Sequence, residues 1–245
     1  MGYKNAIINA LSYLPLGFLF KPFYSGEGTI LFFHKVVKDK KNGPRIPLMA
    51  ANEIEAGYLE KIIVHLRKKG YDIISLDAMN KRLSGFEKKD KKFVVFTFDD
   101  GYKDNLTLAY PIFKKYGVPF SIYVTNCFPN HTAQLWWYLL EDIVLENTEV
   151  SFLLGEEQKR YSSVTQREKE HTFEGIRNLL IKASPKQQQQ LTHQLAEKYD
   201  KDLPGYVSRE SLDWEEIKEL SQDPLVDIGG HTMNHITLNK VAPEV

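Results

Sequence analysis

The chain has 245 residues, enough for one large domain or two small ones, and its 42% hydrophobic and 26% charged content excludes a disordered tail, a coiled coil and a collagen-like fibre. Its 32 Lys and Arg residues balance 32 Asp and Glu residues, so no surplus positive charge favours binding to nucleic acid. The single cysteine, Cys127, excludes an internal disulfide and a cysteine-rich metal site, and it fits a reducing compartment.

The amino-terminal residues 1–28 are predicted to form an apolar helix or extension. Within them, Ala6 to Phe20 is shorter than the roughly 20 apolar residues that span a bilayer, and polar or helix-breaking residues interrupt it: Asn9, Ser12, Pro15 and Gly17. No A-x-A-like cleavage site follows the apolar stretch. Two interpretations stay open, a buried amphipathic helix and peripheral contact with a membrane through residues 6–20. We expect a cytoplasmic protein, with membrane association and an extracytoplasmic location left open.

Strands and helices then alternate along the chain. Apolar runs typical of strands buried on both faces alternate with helical periodicities that end at glycine or proline. This pattern predicts an α/β fold, in which helices cover a parallel sheet. The predicted strands are 29–36, 72–76, 93–98, 120–125 and 226–229, and the predicted helices are 52–69, 77–83, 104–116 and 213–220.

A segment from about 131 to 208 interrupts this alternation. It shows little strand signal, and we predict a mostly helical insertion there. Trp136 and Trp137 open one of its helices. A core contact is the favoured interpretation for both tryptophans, and stacking on a sugar is the alternative that makes them candidate substrate-binding residues.

An acidic pair, Asp99 and Asp100, ends the third predicted strand and is followed by Gly101. Two adjacent carboxylates at the end of an apolar strand are costly to bury unless they are paired, hydrogen-bonded or bound to a cation. Gly101 allows the sharp turn that would bring both side chains to one edge. A helix N-cap would explain one aspartate but not two.

A histidine pair, His231 and His235, follows the last predicted strand after Gly229 and Gly230. Histidines four positions apart can face the same side of a helical turn and reach one ion. Zinc binds imidazole nitrogen and carboxylate oxygen, and three protein ligands with one open position are typical of a catalytic zinc site. The spacing alone is weak evidence, and its strength comes from the acidic pair at another strand end.

The other five histidines carry less information. His34 closes the first predicted strand at the same edge as the two motifs, where a core or rim position is favoured and a role in positioning substrate is the alternative. The remaining four are predicted to occupy helix or surface positions: His65, His131, His171 and His193.

The two motifs in this order, Phe98-Asp99-Asp100-Gly101 and His231-Thr232-x-x-His235, resemble the polysaccharide deacetylase family, the NodB-homology or carbohydrate esterase group. The segments Leu31-Phe32-Phe33-His34-Lys35-Val36 and Tyr110 to Pro119 agree with this resemblance. It covers about residues 29–126 and 212–241, on either side of the insertion.

The resemblance implies a distorted (β/α) barrel over residues 29–245, with its site at the carboxyl ends of the strands. It also implies metal-dependent removal of an N-acetyl group from a cell-envelope or exopolysaccharide glycan. Asp99 would be the general base, and Asp100, His231 and His235 would bind a divalent metal, most simply zinc. Cobalt, nickel and iron also suit these ligands.

The family pattern continues with an arginine segment, an Asp/Trp segment and a Leu-x-His element that provides the general acid. No residue after His235 can be assigned to these parts, so we expect a barrel incomplete at its carboxyl-terminal end and favour a truncated chain. A carbohydrate-binding or assembly protein that keeps the metal site is the alternative function. A phosphoryl-transfer hydrolase is disfavoured, because such enzymes space their aspartates by one residue and do not need the histidine pair.

Overall fold

The computed structural model describes residues 26–39, 45–86 and 91–235. The prediction for residues 6–20 lies outside the described residues. The strands are β1 (Gly28–Phe33), β2 (Lys35–Val37), β3 (Glu53–Glu55), β4 (Asp72–Ile73), β5 (Phe93–Asp100), β6 (Phe120–Val124), β7 (Glu149–Leu154), β8 (Glu157–Ser162) and β9 (Val226–Gly230). The helices are α1 (Pro47–Ala50), α2 (Ala56–Lys68), α3 (Leu76–Leu83), a π-helical segment (Asn105–Ala109), α4 (Tyr110–Tyr116), α5 (Trp136–Glu146), α6 (Gln166–Lys182), α7 (Pro185–Lys198), α8 (Leu203–Glu210) and α9 (Trp214–Ser221).

The main sheet confirms the predicted α/β class. Its described strands are parallel and run in the order β1–β5–β6–β9, with the short β4 also paired to β5. The register aligns Asp100 with Val124 and Val124 with Gly230, so the acidic motif and the histidine motif leave the sheet at the same edge. Among the described helices, none combines the length and the apolar character that crossing a bilayer requires.

Aromatic side chains fill the core between this sheet and its helices. Phe98 lies edge-on to Phe113 of α4 and to Phe120 of β6, with ring centroids 5.7 and 5.8 Å apart. Phe113 and Phe120 are closer still, at 4.4 Å. All three are fully buried. Each such side chain contributes roughly 1.5–3 kcal/mol through burial, so this core fixes β5 and β6, the strands that carry the acidic motif.

Two of the predicted elements are each split into two separate elements in the structure. The strand predicted over 29–36 becomes β1, which pairs with β5, and β2, which pairs with β3 instead. The amide of Val36 in β2 donates to Asp104 at 2.9 Å rather than to the main sheet. The helix predicted over 104–116 begins as the π-helical segment, because Pro111 lacks the amide that a regular α-helix would use there.

The insertion contains more strand than we predicted. Strands β7 and β8 form an antiparallel hairpin around Gly155, which has a φ of +64°. Strand β8 is largely polar and solvent-exposed, so it lacked the apolar signal on which the prediction relied. The helices of the insertion pack around a second buried core, whose members include Leu139, Phe173 and Leu195.

A buried ion pair joins the insertion to the segment before α1. Glu141 of α5 accepts hydrogen bonds from the Arg45 Nε at 3.0 Å and from the Ile46 amide at 3.1 Å. Arg45 also donates to Glu53 at 2.7 Å. The side chains of Arg45 and Glu141 are both largely shielded from water.

We expect Glu141→Ala to lower the free energy of unfolding by about 1–3 kcal/mol, because it leaves the Ile46 amide and the Arg45 Nε–H without their acceptor. Urea titration measures this loss. The control is Lys201→Met, which removes an ion pair between a lysine side chain that is 16% exposed and Glu146, whose side chain is 58% exposed. That control is expected to cost less than Glu141→Ala, because water reaches the Glu146 carboxylate, and equal losses in the two variants would contradict the prediction.

Candidate metal centre

The acidic motif turns sharply at the end of β5. Asp100 has a φ of +74° and Gly101 a φ of +86°, so the chain leaves the strand through two consecutive left-handed residues. Such a conformation costs a residue with a side chain about 1–3 kcal/mol unless its surroundings hold it. Asp100 is only 2% exposed, whereas Asp99 is half-buried. The adjacent carboxylates therefore occupy different environments.

The histidine motif is an irregular turn, which corrects the helical arrangement that we predicted. Residues 231–235 have no helical structure, and both Thr232 and His235 have positive φ angles, of +66° and +52°. Two contacts hold the turn: the His231 amide donates to the Val124 carbonyl at 2.8 Å, and the His235 amide donates to Thr232 Oγ1 at 3.1 Å. The two histidines converge because the loop after β9 folds back on itself, not because they lie one helical turn apart.

The glycine before this turn has a steric function. A Cβ atom at Gly229 would lie 2.7 Å from both Cδ1 and Cε1 of the Tyr123 ring on the neighbouring strand β6. That distance is too short for a real contact, so Gly229 lets the tyrosine ring lie over β9. A side chain here would push apart the two strands that lead into the site.

Three side chains from the two motifs meet at one point. Asp100 Oδ1 lies 3.1 Å from His235 Nε2 and 3.6 Å from His231 Nε2, and one ligand atom from each residue lies within 4.8 Å of the others. Of the residues described, these three are the group able to hold a metal ion. Asp99, the predicted base, directly precedes Asp100 in the chain but is not a member of the group.

The donor atoms fit a divalent cation. Asp100 Oδ1 is buried, and no amide or hydroxyl among the described residues donates a hydrogen bond to it. A shielded anionic oxygen facing two imidazole nitrogens is the ligand set that zinc accepts, and three ligands leave a position open. The hydrogen bond to Asp100 raises the pKa of His235 above its ordinary value of 6.5, against the lowering effect of burial.

Aromatic side chains form one wall of this centre. The Trp137 ring centroid lies 5.5 Å from that of His235, and the Phe128 centroid lies 6.5 Å from it. Trp136 contacts Trp137 edge-on at 5.5 Å and packs against the core of the insertion. Of the two tryptophans predicted to bind substrate, Trp137 thus borders the candidate metal centre, and Trp136 packs against Trp137.

His34 is placed differently. Its ring lies 6.0 Å from Phe32, and its carbonyl accepts a hydrogen bond from Asn105 at 3.0 Å. Neither contact involves the three metal-site side chains. Its proposed role in positioning substrate stays a prediction.

Sequence analysis missed a charged cluster behind the acidic motif. Lys35 of β2 forms an ion pair with Glu210 of α8 and lies 3.9 Å from Asp104. Burial raises the pKa of Asp104 to about 7. Lys35 follows His34 inside an apolar run. A charged residue inside such a run was the feature of the sequence that could have pointed to this cluster.

Comparison with known proteins agrees with the geometry. The family model described as polysaccharide deacetylase matches residues 86–245, which include both motifs and most of the chain. The chain belongs to the polysaccharide deacetylase family. A curated relative, "Putative polysaccharide deacetylase YxkH" of Bacillus subtilis (strain 168), is 34% identical over 106 residues. The match covers 43% of this chain and 34% of the relative, so it spans about a third of the relative's length.

Solved structures of deacetylases are similar at lower identity. The Streptococcus pyogenes deacetylase PplD, solved with acetate, is 18% identical and has a TM-score of 0.49, over 89% of this chain and 62% of that one. A de-N-acetylase from Aggregatibacter actinomycetemcomitans is 18% identical with a TM-score of 0.44, over 82% of this chain and 53% of that one.

The different roles predicted for Asp99 and for the group of three can be tested. We expect Asp99→Asn to retain the metal, because Asp99 lies outside the group of three. His235→Ala is expected to lose metal affinity, because it removes one of three donors. Elemental analysis of the purified variants measures both, and equal metal loss would show that the division of roles is wrong.

The raised pKa of Asp104 gives a second prediction, on stability. The folded state keeps the proton up to about pH 7, whereas the unfolded chain releases it near the ordinary value of 3.8. The stabilising contribution of this group is therefore complete below pH 3.8 and is lost as the pH rises through 7. We expect the stability of the wild type relative to Asp104→Asn to fall over that interval in urea titrations. A constant difference would contradict the prediction.

Proposed function

We propose that this protein is a metal-dependent deacetylase that hydrolyses an N-acetyl group on a cell-envelope or exopolysaccharide glycan. The observation that carries the proposal is the convergence of Asp100, His231 and His235 at one sheet edge, with Asp99 directly before Asp100 in the chain. Membership in the polysaccharide deacetylase family supports the same reaction class.

Asp100, His231 and His235 would hold the metal, with zinc as the simplest choice. When bound, a divalent cation supplies Lewis acidity, which polarises the acetamide carbonyl and makes water a stronger acid at neutral pH. The chain keeps these ligands in place through β5 and β9, whose ends the sheet register aligns.

Asp99 would act as the general base. It is only partly buried, in contrast to Asp100. In the proposed reaction, Asp99 accepts a proton from the attacking water, and the water oxygen bonds to the carbonyl carbon. The C–N bond then breaks, its electron pair leaves with the sugar nitrogen, and that nitrogen takes up the proton from Asp99. The products are acetate and a free amine on the sugar. General bases contribute about 10²–10⁴-fold to such rates.

Trp137 would contact the sugar. Its indole lies beside His235 and is only partly buried. Aromatic faces stack on apolar ring surfaces, so an indole at this position can hold a pyranose next to the ligands. Trp136 would serve this contact indirectly, through its edge-on packing against Trp137.

The test is acetate release from N-acetylglucosamine oligomers by the zinc-loaded protein. We expect release by the wild type, its loss after chelation and its recovery on adding zinc. Asp99→Asn is expected to lower kcat by about 10²–10⁴-fold. The matched control is Asp142→Asn, a change of the same kind at a carboxylate that bonds to Tyr206 within the insertion.

A zinc-bound wild type that binds the oligomers but releases no acetate would contradict the enzymatic proposal. That result would favour the carbohydrate-binding or assembly function instead. Equal activity of Asp99→Asn and wild type would exclude Asp99 as the base.

A further inference from the structure

Lys35 of β2 places its charged end in a shielded, aromatic environment instead of in solvent. Its ammonium forms an ion pair with Glu210 of α8, and its side chain is only 14% exposed. The same nitrogen lies 4.7 Å from the ring centroid of Tyr138 and 5.5 Å from that of Tyr102. An ammonium over aromatic faces at these distances is attracted to both rings, more strongly where water is excluded.

The two tyrosines belong to different parts of the molecule. Tyr102 directly follows Gly101 in the loop that leaves β5 after Asp99 and Asp100, which we call the acidic loop. Tyr138 lies on α5 of the insertion. Their rings meet edge-on with centroids 6.2 Å apart. Lys35 thus bridges the acidic loop and the insertion, and Glu210 holds the bridging cation from a third element.

This bridge continues to the metal centre through Trp137. Trp137 precedes Tyr138 on α5, and their ring centroids are 6.1 Å apart. On its other side, Trp137 lies 5.5 Å from His235. A continuous series of contacts therefore runs from Lys35 to the site.

The backbone reinforces the same junction. The Leu212 amide donates to the Gly101 carbonyl at 3.0 Å, and Tyr102 forms a β-bridge with Ser211. Glu210, the partner of Lys35, immediately precedes these residues. Backbone contacts therefore join the acidic loop to the end of the insertion, next to Lys35. Helix α5, by contrast, contacts this junction mainly through side chains.

We infer that Lys35 is a positioning residue, which fixes the Trp137 indole against His235 and thereby sets how tightly the site holds a sugar ring. This inference rests on the proposed function, because it gives Trp137 a glycan as its ligand. Loss of the cation would let the Tyr138 and Trp137 side chains shift relative to the ligands, while the buried residues of α5 keep the helix in place. The ligands themselves are held by β5 and β9 and would stay in place.

The expected kinetic signature is a change in KM without a matching change in kcat. A sugar stacked on Trp137 is held equally in the ground state and the transition state, so weakening that contact raises KM alone. For Lys35→Met, which keeps the apolar stem and removes the charge, we expect KM for the N-acetylglucosamine tetramer to rise about fivefold or more. We expect kcat to stay within about twofold and zinc content to be unchanged.

Three further variants make the test specific. Lys35→Arg keeps the cation and is expected to restore most of the affinity. Glu210→Gln releases the ammonium without touching β2, and is expected to raise KM even if Lys35→Met does not fold. Lys201→Met removes a comparable lysine–glutamate pair, to Glu146, that makes no contact with the aromatic series, and its KM is expected to equal that of the wild type.

Two measurements need no turnover and separate this inference from the proposed function. The first is near-ultraviolet circular dichroism of the metal-free protein, which reports the packing of its aromatic side chains, Trp136, Trp137 and Tyr138 among them. The second is tetramer binding, followed by tryptophan fluorescence. We expect Lys35→Met and Glu210→Gln to weaken the dichroism band and the binding, whereas Lys201→Met leaves both unchanged.

An unchanged band and unchanged binding in both Lys35→Met and Glu210→Gln would overturn the inference, whether or not acetate is released. A fall in kcat with constant KM would also overturn it, because that pattern would place Lys35 in the chemical step. If the wild type releases no acetate but the variants lose tetramer binding, the inference stands and the proposed reaction fails.

Discussion

The site depends on the placement of one buried carboxylate. Asp100 is almost completely shielded from water, yet among the described residues no amide or hydroxyl hydrogen-bonds to its Oδ1. An anion in that position is unfavourable unless positive charge or imidazole donors reach it. His231 and His235 approach this oxygen from a strand more than a hundred residues later in the chain. The arrangement places a shielded carboxylate oxygen against two imidazole nitrogens, which suits a cation site.

Backbone strain at the same place supports this view. The positive φ angles of Asp100, Thr232 and His235 all occur within the two motifs that form the site. Left-handed residues with side chains persist where surrounding contacts hold them, and they concentrate at functional sites. Here the aromatic core under β5 and β6 and the hydrogen bonds of the histidine turn provide that support.

The insertion contributes directly to the site. Helix α5 carries Trp137 to the candidate ligands and Tyr138 to Lys35, so one turn of helix contacts both the candidate metal centre and the charged cluster around Lys35. The insertion has its own core, and Glu141 joins it to the segment at Arg45 and Ile46. We therefore regard the position of α5 as the feature through which the insertion could tune substrate binding while the ligand set stays constant.

The sequence by itself determined the parallel α/β order and the two motifs, because apolar runs, glycine stops and paired carboxylates are local signals. It could not determine how His231 and His235 converge: the spacing suggested a helix, but the Thr232 hydroxyl and the Val124 carbonyl hold an irregular turn. The polar β8 was missed because its pairing with β7 depends on contacts, not on its own hydrophobicity. Only the tertiary structure decided that Lys35, Tyr102 and Trp137 form one series, since attraction between side chains from distant segments leaves no periodic pattern in the sequence.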